Sequence, residues 1–271
     1  MRIATNAAIA AAALAFATTA AAQRADSLTR FECGTSRPAG DLNERFSDTF
    51  AYAGGLKMQL VFSCYLIKHG SDYMIWDTGF GPDAGATAPK MTLPQQLEKL
   101  GVKPEQVKFV GISHYHPDHM GQARAFPHAT LLIGKGDWDV LKSPVRPDNV
   151  NPALLEPWIN GGGKVEPLYN DKDVFGDGSV LILNTPGHTP GHHSVLVKLQ
   201  QTGNVILVGD AAHFHENYET NGVPWFNHDR SQTLASLDRI KKLAANLKAT
   251  VVIQHDPRDV AKLPAFPESA K

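Results

Sequence analysis

The chain holds only two cysteines in 271 residues, Cys33 and Cys64. That is too few for a disulfide-stapled scaffold, and neither is spaced as a zinc ligand. Each lies in an apolar stretch that reads as a strand, Leu28 to Cys33 and Leu60 to Ile67. Buried thiols are the expectation, with pairing open if the two strands are neighbours in an oxidising compartment. An excess of either charge is missing too: 26 basic against 27 acidic side chains leave a formal balance of −1. A polyanion such as nucleic acid therefore finds no electrostatic footprint. Past the N-terminus no apolar run reaches the ~20 residues that span a bilayer. Nothing in the middle has the composition of a linker, so one domain is expected over residues 23–271.

The N-terminus is different in kind. Arg2 precedes an Ala-rich apolar run from Ala7 to Ala17 with Ile9, Leu14 and Phe16, and Ala20-Ala21-Ala22 stand before Gln23. A basic end, a short apolar core and a small-residue site make the pattern of a secretory signal peptide. Cleavage is expected after Ala22, giving a soluble periplasmic or secreted protein that no longer touches the membrane.

What the chain does have is histidine in clusters. Val107, Phe109, Val110 and Ile112 form a buried strand that runs into His114-Tyr115-His116-Pro117-Asp118-His119. Three imidazoles and a carboxylate so close together are costly to bury unless a divalent cation takes their lone pairs. His114 and His116 can converge on one ion while Asp118 and His119 turn toward another, which points to two metals.

The same arrangement recurs along the chain. A hairpin, Leu60 to Ile67 and Tyr73 to Trp76, ends in Asp77-Thr78-Gly79, where Asp77 is placed to orient a metal-bound imidazole. Thr92 reads as the cap of a short helix with Leu93, Leu97 and Leu100 on one face. A helix is expected over Gln122 to Ala125, then a strand at Thr130 to Ile133, then an exposed irregular excursion over residues 143–163. The strand Val180 to Leu183 runs into Thr185-Pro186-Gly187-His188-Thr189-Pro190-Gly191-His192-His193. Its turns hold His188 at the tip as a third ligand, while His192 and His193 open the next strand and are expected to pack. The strand 204–208 ends in Gly209-Asp210, where a carboxylate can bridge two cations. His213, Phe214, His215, Tyr218, Trp225 and Phe226 follow, suited to a hydrophobic substrate wall or to core packing. An amphipathic helix is expected over 231–248, then a strand 250–253 that delivers His255, then a peripheral Pro-rich tail. Periodicity alone describes a β-rich α/β domain. N and O donors at five strand ends describe a dinuclear site for zinc or a similar metal.

Those motifs resemble the metallo-β-lactamase superfamily: Asp77-Thr78-Gly79, the H-x-H-x-D-H run at 114–119, Gly187-His188, Asp210 and His255. The resemblance implies a four-layer αββα sandwich with a metal pair at one edge. It assigns His114, His116 and His188 to one metal, Asp118, His119 and His255 to the other, and Asp210 to the bridge. It implies hydrolysis by a metal-bound hydroxide, with Asp118 passing a proton to the leaving group. The Thr-Pro-Gly-His-Thr-Pro-Gly-His run looks most like the N-acyl homoserine lactone hydrolases. One departure stands out: His213 occupies the place where those lactonases carry a tyrosine that contacts the substrate carbonyl, a hydrogen bond histidine can also donate. Other expectations compatible with the motifs are hydrolysis of an ester, a glyoxalase II-like thioester, a phosphodiester or a β-lactam, and a zinc-sequestering binding protein without turnover.

Overall fold

The computed structural model describes residues 23–36, 40–49, 52 and 54–271; the expected leader, residues 1–22, lies outside the described residues. The first sheet has the order β1 (Ser27–Thr35), β4 (Val61–His69), β5 (Asp72–Trp76), β6 (Val107–Ile112), β7 (Thr130–Gly134), β8 (Val165–Leu168). Between β1 and β4 in sequence, β2 (Gly40–Asp41) and β3 (Lys57–Met58) form a small ribbon. The second sheet runs β13 (Thr250–Val252), β12 (Gly203–Leu207), β11 (His193–Leu199), β10 (Val180–Asn184), β9 (Lys172–Asp173). The helices are α1 (Asn43–Phe46), α2 (Leu93–Lys99), α3 (Pro117–Met120), α4 (Lys135–Lys142), α5 (Glu156–Ile159), α6 (His215–Thr220) and α7 (Arg230–Leu247).

Alternation along the strands decides the layering, because successive side chains point to opposite faces. Tyr65, Ile67, Met74 and Trp76 from the first sheet meet Val180, Ile182, Val195, Val197, Val205 and Leu207 from the second in a shared core. On the outer face of the first sheet, Cys64, Leu66, Ile75, Val110 and Ile112 pack against Leu93 and Leu97 of α2, Trp138 and Leu141 of α4, and Trp158 of α5. On the outer face of the second, Leu183, Leu196, Ile206 and Val208 take Leu237, Ile240 and Ala244 of α7. Burying each of the larger of these side chains contributes about 1.5–3 kcal/mol. The result is helix, sheet, sheet, helix: the αββα sandwich.

Local signals fix the helix ends. Thr92 accepts from the Gln95 N–H in a capping box, and Asp229 accepts from the Gln232 N–H at the start of α7. Lys248 closes α7 in the left-handed conformation.

Strand direction then gathers the polar tips. β5 and β6 are parallel, so Asp77 and His114 leave the first sheet at the same edge. β12 and β13 are parallel, and β10 lies two antiparallel steps from β12, so His188, Asp210 and His255 leave the second sheet together.

Four expectations need correction. The helix in this region is α3, which begins five residues before Gln122 because Pro117 supplies a preset first helical residue; only a 3₁₀ turn covers Ala123–Ala125. Residues 143–163 are an exposed excursion only in part: 144–149 are exposed and irregular, but a 3₁₀ turn at Pro152–Leu155 and α5 follow, with Val150, Leu155 and Trp158 buried. The Trp158 indole N–H donates to the Ala129 carbonyl at 2.9 Å. The tail is not peripheral, since Leu263 and Ala270 are buried and Ala270 exchanges two backbone hydrogen bonds of 2.9 Å with Leu28. Cys33 and Cys64 are joined in a disulfide between the neighbouring strands β1 and β4, not left as thiols.

Candidate metal centre

Asp77 closes β5 with a positive φ of 56°, a region that Asp tolerates better than most residues. That turn aims its carboxylate across to the next strand. Oδ1 accepts from the Ser113 N–H at 2.7 Å, and Oδ2 accepts from His119 Nδ1 and from the Gln254 amide, each at 2.8 Å. His119 is thereby fixed with its lone pair on Nε2. His255 is fixed likewise, its Nδ1–H on the Val61 carbonyl at 2.9 Å, and His188 by Asn227 Oδ1 at 2.9 Å.

The freed lone pairs converge. His114 Nε2, His116 Nδ1 and His188 Nε2 lie 2.8, 3.0 and 3.2 Å apart pairwise. Asp210 Oδ2 stands 3.3 Å from His188 Nε2 and 3.6 Å from His114 Nε2. In the second group, His119 Nε2 and His255 Nε2 are 3.2 Å apart. Asp210 Oδ1 is 3.3 and 2.9 Å from them, and Asp118 Oδ2 is 3.6 and 3.8 Å away. The structure thus brings together all seven residues expected to be ligands, in two groups, with one Asp210 oxygen facing each.

The donors fit two divalent cations. Asp210 Oδ1 is buried without a hydrogen bond, and several lone pairs face one another with no donor between them. A borderline cation with a taste for imidazole and carboxylate removes both costs. The electrostatics divide the two groups. Burial holds His114 and His188 well below the usual imidazole range, and His116 down to about 4, so these three are neutral donors. At His119 burial works against charge, but Asp210, Asp77 and Asp118 outweigh it and raise the pKa well above normal. Burial also opposes ionisation of Asp210, yet His255, His213, His119 and His114 outweigh it and drive its pKa well down. The second group is therefore where positive charge is favoured.

Three further histidines stand close by, of which only His192 has both ring nitrogens bonded. His192 donates from Nδ1 to the Thr185 carbonyl at 2.8 Å and accepts the Asp210 N–H on Nε2 at 2.9 Å, so it orients the bridge and has no lone pair to spare. His193 Nδ1 donates to the Gly191 carbonyl at 2.7 Å. His213 Nε2 lies 3.0 Å from Asp210 Oδ2, with its ring 5.0 Å from that of Phe46.

The centre forms the floor of a cavity of about 730 Å³. Its walls are Phe46, Leu60, Phe62, Phe80, Trp225 and Phe226, with His116, Asp118, Asp210, His213 and His255 at the base and Ser36, Arg45, Thr87 and Asn149 among the polar lining. The segment after Asp210 is thus divided: Trp225 and Phe226 line the cavity, whereas Phe214 is buried beside Leu42 and Tyr52. Sequence reasoning missed Ser113, Asn227, Gln254 and Asp137, which hold the ligands or their loops. Ser113 beside His114 and Gln254 beside His255, each just past a strand end, carried a positional signal.

The superfamily profile described as "Metallo-beta-lactamase superfamily" matches residues 61–255. The chain belongs to the metallo-β-lactamase superfamily. Within it, the chain is similar to the N-acyl homoserine lactonase AttM of Rhizobium radiobacter, 34% identical over 181 residues, 64% of this chain and 67% of that one. It is similar to an N-acyl homoserine lactonase of Bacillus cereus, 29% identical over 253 residues, 85% of this chain and 96% of the other. A solved quorum-quenching N-acyl homoserine lactone lactonase superposes with a TM-score of 0.77 at 25% identity, over 92% of this chain and 100% of that one. This metallo-β-lactamase fold member thus sits beside lactonases.

Asp77→Asn replaces an acceptor by an amide N–H facing either Ser113 or His119. It should weaken cation binding by the Asp118/His119/His255 group about 10–100-fold in a chelator titration; unchanged affinity would remove Asp77 from the centre.

Proposed function

We propose that the protein is a dinuclear metal-dependent hydrolase, with zinc the native metal, that opens the lactone ring of N-acyl homoserine lactones. The observation that carries the reading is Asp210, which presents one oxygen to each of two ligand groups at the base of an aromatic-walled cavity. The lactonase relatives supply the substrate class. The imidazole and carboxylate donors support zinc.

Two cations, one held by His114, His116 and His188 and one by Asp118, His119 and His255 with Asp210 shared, would supply Lewis acidity that lowers the pKa of water and polarises a carbonyl. The chain's own residues do the rest. Asp118 lines the cavity with a side chain 20% exposed and is placed to pass a proton to the leaving alkoxide. Asp210 and His192 keep the two groups in fixed register. His213 holds Asp210 and, on releasing it, can donate to a substrate oxygen. The wall formed by Phe46, Phe62, Phe80, Trp225 and Phe226 excludes water and receives an apolar acyl chain. The Ala-rich N-terminus and the Cys33–Cys64 disulfide support export to the periplasm or beyond.

A panel of homoserine lactones, simple esters, a β-lactam and a glutathione thioester tests the reading, with homoserine lactones expected to turn over fastest. Within a lactone series, each buried methylene should raise kcat/KM by roughly fourfold, as expected for ~0.8 kcal/mol per CH₂; equal rates on acetylated and long-chain lactones would count against the apolar wall. Wild-type protein should hold two metal equivalents, and Asp210→Ala should lose at least one, whereas a full complement in that variant would refute the bridge. His213→Ala should lower kcat more than metal content, and unchanged kinetics would leave His213 without a catalytic part.

A further inference from the structure

Asp137, in the first turn of α4, is fully buried and takes no part in the chemistry above. Its Oδ2 accepts from the Tyr115 N–H at 3.0 Å and from the Thr189 hydroxyl at 2.8 Å, while Oδ1 accepts from the Gly191 N–H at 2.6 Å. Tyr115 stands between His114 and His116, and Thr189 follows His188. One carboxylate therefore ties together two loops from different sheets, and those loops carry the three imidazoles of one ligand group. The Asp77 carboxylate, by contrast, serves His119 of the other group.

The backbones around Asp137 are in direct contact. A Cβ on Gly136 would stand 2.7 Å from the Pro190 carbonyl, and one on Gly134 would overlap the Gly191 carbonyl. The helix start and the 189–191 loop thus leave no space for side chains between them, and Asp137 is the polar bond that locks the contact. Burial pushes its pKa up to about 7 against the pull of its three hydrogen bonds, a cost that the fold accepts at this one point of α4.

We propose that Asp137 is a positioning residue for the His114/His116/His188 group: by holding Tyr115 and Thr189–Gly191 on one carboxylate, it sets the approach of His188 to His116 and so that group's affinity for a divalent cation. The other group is set by Asp77 and is independent of Asp137. The inference rests on the metal-centre reading and not on the identity of the substrate.

Asp137→Asn preserves volume but turns a donor toward the Gly191 N–H or toward Tyr115 and Thr189. Loaded with Zn²⁺ and titrated with a chelator, the variant should release one equivalent roughly 10–100-fold more readily than wild type, with the other unchanged. His255→Ala alone should also keep one tightly held equivalent, and the Asp137→Asn/His255→Ala double variant none. Thr189→Val, which removes one bond of the three, should shift the same equivalent less far and keeps the test open if Asp137→Asn does not fold. Wild-type affinity at both sites in a folded Asp137→Asn protein, or equal weakening of both, would overturn the proposal. If wild type binds no divalent cation, the metal-centre reading fails instead. In metal-free protein, Asp137→Asn should speed amide exchange at Tyr115 and Gly191, and unchanged exchange there would overturn the clamp in either case.

Discussion

Imidazole lone pairs aimed at one another repel unless positive charge sits between them, and this chain aims several at two points about one carboxylate. His188, His119 and His255 each have the far ring nitrogen held as a donor, on Asn227, Asp77 and Val61. Their near nitrogens are left facing inward at 3.0–3.2 Å from neighbouring nitrogens. Such a cluster is unfavourable as bare protein and favourable once loaded, so cation binding and native-state stability are coupled.

The two sheets contribute separately to that cluster. The first supplies Asp77 and the residues from His114 to His119, the second His188, Asp210 and His255. Neither sheet holds a complete group, so the site exists only when the shared core of Tyr65, Trp76, Val195 and Val205 is packed. Parallel neighbours within each sheet bring the tips to one edge, the usual place for a site in an α/β domain. The aromatic side chains after Asp210 then close the cavity above the floor.

Much of the site was legible because apolar runs end abruptly in donors: Ile112 gives way to Ser113-His114, Val208 to Gly209-Asp210, Ile253 to Gln254-His255. Spacing along the chain carries no distance, however, so which of these donors share which cation rested on the family resemblance. Asp137 was invisible because a carboxylate next to Trp138 in an amphipathic helix reads as solvated surface. Val150, Leu155 and Trp158 follow no single period, and so a segment with a buried face passed for an exposed loop. The disulfide depended on register: Phe31 opposite Cys64 brings Cys33 within a Cα separation of 5.9 Å, which no count of intervening residues reveals.

The strand β1 stands at the border of the first sheet, where unpaired backbone groups would offer a template to any passing extended chain. Ala270 bonds to Leu28 there, and the Ser269 and Thr29 hydroxyls meet at 2.7 Å. Nearby, Ala25 donates to the Lys198 carbonyl of the second sheet. The final segment thus acts as a hem stitched over a raw seam, guarding against strand addition by other molecules of the same kind.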